Sequence, residues 1–221
     1  MFKHQHPFSP FIPKEATKLI VGTMPPPRFS LGELKKDDVN FCYGSIDGLL
    51  WPVLNTIFNL NLDFETTEKA IKQRKDFLIS KHIGICDIVE YGFRTQMDAS
   101  DLGLSNLKLR PLIAILEQHP KIDTLIFTGG NSKNGPEYLF RKLLKTYQLK
   151  LNQISNNVPR IHSVKLPISK RKIITHSLTA PSGAANRAIG SMALYKQLKQ
   201  SNPNFNTFNF RVMQYREVFG G

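Results

Sequence analysis

The order of apolar runs predicts an α/β fold built on a mainly parallel sheet with helices on both faces. Two observations carry this. Short β-branched or apolar segments bounded by turn residues alternate with longer segments whose apolar residues recur at three- and four-residue spacing, and two strand candidates end in loops rich in Gly, Pro and Ser. The strand candidates are Lys18–Thr23, His82–Val89, Thr124–Gly129, Ile161–Leu166 and Ile173–Ser177. The helix candidates are Leu49–Asn59, Thr66–Ser80, Leu107–His119, Pro136–Leu149 and Ala184–Gln200. The tail from Phe208 to Tyr215 alternates apolar and polar residues, which suits a late strand or a docked extension.

At 221 residues and 41% hydrophobic, the chain is long enough to bury one substantial core. No linker-like or low-complexity stretch divides it, so one domain over 1–221 is expected, with 201–221 as a C-terminal extension. The apolar runs are far too short for a bilayer and no secretory apolar region is visible, so the expected setting is the cytoplasm, without membrane. Cys42 and Cys86 have neither metal-ligand spacing nor a disulfide framework around them, which fits a reducing compartment. His4 and His6 lack further ligands at suitable spacing, so no metal is expected.

The formal net charge is +13, unevenly spread. Residues 151–221 hold ten Lys/Arg against the single acid Glu217, and so carry +9 of it. A basic surface beside a phosphate-shaped loop points to nucleic acid, with a solvated basic surface as the plain alternative. The loop in question is Thr175–Arg187, THSLTAPSGAANR, in which a Pro-Ser-Gly turn separates a β-branched run from a new helix. Such a junction offers backbone N–H groups, small side chains and a positive helix end to an anion. Near the start, Lys18-Leu19-Ile20-Val21 runs into Gly22-Thr23-Met24-Pro25-Pro26-Pro27 in the same manner. If the two strands are neighbours in a parallel sheet, the loops form one crevice. A phosphorylated metabolite in that crevice is the weaker alternative, because the chain has no P-loop and no G-x-G-x-x-G fingerprint.

Several short motifs then follow a family's order: His6-Pro7-Phe8, Leu19 to Pro25, Tyr43-Gly44 with Trp51 beyond, Gly84-Ile85-Cys86-Asp87-Ile88-Val89, His119-Pro120, and Pro181-Ser182 with Ala185-Asn186. Over about residues 6–192 the chain resembles the uracil-DNA glycosylase superfamily, in particular its hypoxanthine-DNA glycosylase-like branch. The resemblance implies an α/β/α sandwich with a four- to five-stranded central sheet. It also implies a monomer, without cofactor, that flips a deaminated base (uracil, hypoxanthine or xanthine) out of DNA and hydrolyses its N-glycosidic bond in base excision repair. Gly22, Thr23, Met24 and Pro25 would then contact base or phosphate, and Tyr43, beside Gly44, would be the base-stacking aromatic. Pro181, Ser182, Gly183, Ala184 and Asn186 would form a slim wedge toward the minor groove.

Single residues read two ways. Asp87, at the C-terminal end of a strand, either lines the ligand crevice or ties down a loop. His176 either donates to phosphate or base or is a satisfied structural group. Arg187 either contacts phosphate or is solvated. At the positions where relatives carry polar catalytic groups, this chain has Met24, Gly48 and Ala180. Asp47 is therefore the nearest candidate for orienting water or stabilising a cationic sugar, its alternative being the N-cap of the next helix. The three apolar positions also admit a binding protein that keeps the pocket without efficient chemistry, as a lesion or single-strand sensor.

Overall fold

The computed structural model describes residues 1–98 and 100–220. In chain order its elements are β1 (Phe2–Gln5), β2 (Lys18–Val21), α1 (Pro27–Leu31), α2 (Leu50–Phe58), α3 (Glu68–Ser80), β3 (Ile83–Ile85), β4 (Val89–Arg94), β5 (Ser105–Leu109), α4 (Leu112–Gln118), β6 (Thr124–Phe127), α5 (Pro136–Thr146), β7 (Asn152–Ser155), β8 (Arg160–Lys165), β9 (Lys172–Ser177), α6 (Asn186–Ser191), α7 (Ala193–Ser201) and α8 (Thr207–Phe219).

The central sheet has the strand order β3-β2-β6-β9-β8-β7. The first four strands are parallel, with Lys18 level with both Ile83 and Thr124, and Thr124 level with Ile174. Strand period decides which helices cover which face. Leu19, Val21, Leu125 and Phe127 pack with Leu112, Ile113, Leu116, Leu139 and Phe140 of α4 and α5. Ile20 and Ile126 point the other way, into a cluster with Trp51, Leu54, Phe77 and Tyr215 of α2, α3 and α8. The result is the expected α/β/α arrangement, with six strands where four or five were expected. The added strand, β7, reads Asn-Gln-Ile-Ser and is too polar to register as an apolar run. β8 and β7 are antiparallel to their neighbours, joined by tight connections rather than crossover helices. One margin of the sheet, β3, is covered because Phe11 and Ile85 exchange backbone hydrogen bonds at 3.0 and 2.9 Å. At the other margin β7 has no further strand beyond it among the described residues.

Four segments differ from the sequence expectation. The expected helix Ala184–Gln200 is two helices, α6 and α7, separated at Met192, whose backbone is extended (φ −71°, ψ 133°). The run His82–Val89 is two strands: β3 stops at Ile85, and β4 begins at Val89 in a separate antiparallel sheet of order β1-β4-β5. Leu107–His119 begins as strand rather than helix, because Leu107 and Leu109 alternate onto the core, and Pro111 then precedes α4. The tail is a helix. Its apparent alternation hides a four-residue repeat, Phe210-Gln214-Val218 and Arg211-Tyr215-Phe219, that buries one face, and Asn206 and Asn209 start it with a reciprocal capping box.

Candidate functional site

The first loop leaves β2 at Gly22. A Cβ on Gly22 would stand 1.9 Å from the Tyr43 Oη and 2.6 Å from Asp87 Oδ1, so only glycine fits. Its N–H donates to Asp87 Oδ1 at 3.1 Å. Its carbonyl, with that of Thr23, accepts from Ile88 and Val89 at 2.9 and 3.3 Å, stitching this loop to the β3–β4 connection and the start of β4. The second Asp87 oxygen lies 3.0 Å from His6 Nε2. Because His6 Nδ1 accepts from the Phe8 N–H at 3.1 Å, the ring proton sits on Nε2 and is donated to Asp87. Asp87 therefore both lines the crevice and ties down two loops, so its two sequence readings coexist.

Tyr43 occupies the left-handed region, φ 57°, and its hydroxyl pairs with Thr128 Oγ1 at 2.8 Å. Burial, reinforced by the nearby Asp87 charge, drives its phenol pKa well up and keeps it neutral. Gly44 is equally constrained, since a Cβ there would lie 1.8 Å from the Val39 carbonyl oxygen. Beyond this turn, Arg28 grips Asp38 with two hydrogen bonds of 2.7 and 2.8 Å and reaches Ser45 Oγ at 2.8 Å. Burial works against the Asp38 charge, but Arg28 and the N–H groups of Ile46 and Lys35 outweigh it and hold that carboxyl below its usual range. Asp47 is exposed at the rim, 2.9 Å from Lys35 Nζ and 3.5 Å from Arg28 Nη2. It does not cap the following helix, whose start has no side-chain cap.

The Thr179–Asn186 loop is built on α8. Arg211, fully buried, donates to the carbonyls of Ala180 at 3.0 Å and Ser182 at 2.6 Å and to Asn186 Oδ1 at 3.0 Å. Gln214 accepts from the Thr179 N–H at 2.7 Å, and the Tyr215 hydroxyl donates to the Thr179 carbonyl at 2.8 Å. The loop then meets the start of α2: the Leu49 N–H donates to the Pro181 carbonyl at 2.8 Å, and Gly48 bridges Ser182.

The two loops converge on one cavity of about 250 Å³, open on one side, although β2 and β9 are not the neighbours the sequence reading required: β6 lies between them. Thr23, Met24, Pro25, Tyr43, Gly44, Asp47, Asp87, Pro181 and Ser182 all border it, as do Gly48 and Ala180. Gly22 stands directly behind, against Tyr43 and Asp87. Gly183, Ala184, Asn186 and Arg187 do not border it; they are exposed on the outer side of the loop. His176 is also outside it, on the sheet face shared with Ile20 and Ile126, where burial and then Lys18 lower its pKa.

Asp101, from the β4–β5 connection, borders the cavity too and was not singled out from sequence. In the chain it sits within a short Ser-, Asp- and Gly-rich stretch that reads as an ordinary turn. Burial pushes its pKa up to about 7; Thr23 and Arg94 pull against this, and Asp87 adds to it. The backbone around it is fixed: Asn134 Nδ2 donates to the carbonyls of Asp101 and Leu104, both at 2.9 Å, and Arg94 Nη1 donates to the Ser100 carbonyl at 2.6 Å. The cavity wall therefore carries the carboxyls of Asp47, Asp87 and Asp101 against one guanidinium, Arg28, within a protein of strongly positive net charge. Among the described residues no group of three His, Cys, Asp or Glu side chains is placed to hold a metal ion. No helix among them is long and apolar enough to cross a membrane.

No family model matches the chain, and no curated protein matches it. Among solved structures the chain is similar to a candidate uracil DNA glycosylase from Methanosarcina acetivorans, determined by solution NMR. The two are 17% identical, the match covers 95% of this chain and 98% of the other, and the TM-score is 0.54. At that identity the likeness is one of architecture, and it establishes a uracil-DNA-glycosylase-like α/β fold for this chain.

Proposed function

We propose that this protein is a monofunctional DNA N-glycosylase of the hypoxanthine-DNA glycosylase-like type, acting in base excision repair as a cytoplasmic, nucleoid-associated monomer without metal or cofactor. The observation that carries the reading is one cavity with a carboxyl-bearing wall, opening between two anion-suited loops on a protein of net charge +13. The outside suits the phosphate backbone, and the inside suits the positive charge that develops on a sugar as its base departs. At about 250 Å³ the cavity is below the roughly 300–1,000 Å³ of drug-sized ligand sites, a scale suited to one flat base.

In this reading a deaminated base rotates inward against the Tyr43 ring, between Met24 and Ala180. The Thr23 and Met24 N–H groups, which make no hydrogen bond within the described residues, face its oxygens. The sugar stays at the mouth. There Asp47 is the solvent-reached carboxylate, suited to orienting water and to stabilising cationic character at the anomeric carbon. Asp87, held through both oxygens, adds negative potential from the floor. The exposed Gly183, Ala184, Asn186 and Arg187 follow the DNA strand, with Arg187 on a phosphate. No DNA-facing role is proposed for His176.

Three apolar groups at the cavity, Met24, Gly48 and Ala180, favour a second reading: a lesion-binding protein with weak or no chemistry. Duplexes and single strands carrying uracil, hypoxanthine or xanthine, followed by alkali cleavage, separate the two. Scission that is lost in Asp47→Ala supports the enzyme. Tight, salt-sensitive binding without abasic product supports the sensor.

A further inference from the structure

We infer that Asp101 is the proton donor to the departing base, carried to the cavity wall by the β4–β5 connection. This role rests on the base-release function proposed above and adds to it a residue and a division of labour. Asp47 stands exposed at the mouth, where the sugar would lie, and is paired with two cations. Asp87 has both oxygens committed, one to the Gly22 N–H and one to His6. Asp101 is the remaining carboxyl of the wall, and it is half-buried.

Its position is set rather than incidental. Asn134 is buried, in the left-handed region at φ 60°, and spends its side-chain amide on the Asp101 and Leu104 carbonyls. Arg94 is buried as well, braced on His4 Nδ1 at 2.8 Å, and holds the turn through the Ser100 carbonyl. The groups facing the Asp101 carboxyl are the Thr23 hydroxyl from the first loop, Asp87 from the β3–β4 connection and Arg94 from β4. Tyr43, Arg28 and Asp47 also border the cavity, and Asp98 on the same connection faces Arg94. Burial outweighs the two groups that favour ionisation, so this carboxyl exchanges its proton near neutral pH, where a general acid is most effective.

In the step itself, the bond between the anomeric carbon and the base nitrogen breaks, and its electron pair goes to the base. The Asp101 proton passes to the base, which leaves neutral. A water oxygen bonds to the anomeric carbon, and the proton that water sheds returns through solvent to the Asp101 carboxylate. The net change is one water added across the bond.

The test combines single-turnover base release, across pH 5–9, with equilibrium binding of duplexes carrying a 2′-fluorinated deoxyuridine or deoxyinosine, which resist hydrolysis. Expected for the wild type is a rate that falls tenfold per pH unit above about 7. Asp101→Asn should cut the rate at pH 6 by on the order of 100-fold, remove that limb and leave DNA affinity in place, and Asp101→Glu should restore part of both. An unchanged rate and limb in Asp101→Asn overturns the assignment while leaving base release standing. If the wild type releases no base, the glycosylase function falls instead, and Asp101 is judged by binding. Preference for the fluorinated lesion that weakens above about pH 7 in the wild type but not in Asp101→Asn keeps Asp101 as the group touching the base. A flat wild-type profile overturns it. Carboxyl ¹³C titration of Asp101 in the wild-type chain follows the same proton without a variant: a midpoint near 7 supports the donor role, and one at the ordinary 3.8 overturns it.

Discussion

Arg211 Nη2 donates to the Ser182 carbonyl at 2.6 Å, across 29 residues of sequence, and this contact makes the C-terminal helix the scaffold of the Thr179–Asn186 loop. Arg211 is 0% exposed and satisfies Ala180, Asn186 and Thr207 as well. Arg211→Ala leaves those oxygens without a donor in a buried place, at a cost of about 3 kcal/mol. Urea denaturation should show a lower midpoint with an unchanged slope. Tyr215→Phe, which removes only the bond to Thr179, should cost about 1 kcal/mol. In both variants DNA affinity should fall together with stability.

Gly22→Ala tests how tightly the first loop, Tyr43 and Asp87 are packed. The added methyl would overlap the Tyr43 hydroxyl and press on the Asp87 carboxylate. A loss of about 1–3 kcal/mol is expected in thermal or chemical melts, and Gly22→Ala/Tyr43→Phe should recover part of it. Equal stability of the single and double variants would contradict the packing described.

Asp101 should make the fold less stable as pH rises. Its folded pKa, about 7, lies above the ordinary value of 3.8, so the folded state holds the extra proton between those limits. The favourable contribution is complete below about pH 4 and is lost as pH climbs through 7, to the extent of about 2–4 kcal/mol. Asp101→Asn should therefore be more stable than the wild type at pH 8 and show little difference at pH 4.5. Paired urea titrations at the two pH values measure this directly.

His4 acts in the opposite direction. Burial, then Arg94, lower its pKa from 6.5 to about 4, so the unfolded chain binds the extra proton in that window. Stability attributable to His4 is complete above about pH 6.5 and is lost as pH falls toward 4, by about 3 kcal/mol. His4→Gln keeps an acceptor for the Arg94 Nε donor and removes the titration. Its melting temperature should be flatter than that of the wild type between pH 6.5 and 4.

Arg187 is exposed beside the loop tip. If it meets a phosphate, Arg187→Ala should lower DNA affinity alike for damaged and undamaged duplexes and reduce the slope of log K against log salt by about 1. An unchanged slope would assign it to solvent.

The parallel strands and the two loops at their exits were legible because both rest on local signals, β-branched runs and Gly and Pro at the strand ends; that β6 stands between β2 and β9 was not, because strand order is set by long-range pairing. Asp87 was legible as a cavity residue by the same logic of strand ends, whereas Tyr43, between α1 and α2, was legible only through the family resemblance. Asp101 was not, because its place depends on a second sheet that pairs Phe2–Gln5 with β4 across some 90 residues, and no local pattern encodes that register. The tail misled for a different reason. Arg211 and Gln214 are polar residues on the buried face, so the helical repeat is interrupted where the side chains serve the Thr179–Asn186 loop instead of the core. Cavity-facing and loop-facing polar groups are the ones that break the apolar periodicity from which folds are read.

The bare outer margin of β7 bears on how copies of the protein meet at high concentration. Backbone donors and acceptors along Asn152–Ser155 are the natural seam for one copy to extend the sheet of another, with Ile154 exposed there to reinforce it. That seam lies two strands beyond β9, whose end feeds the cavity loop, while the opposite margin is sealed by Phe11. A copy extending the sheet there would pair on the side away from β2, whose end feeds the first cavity loop.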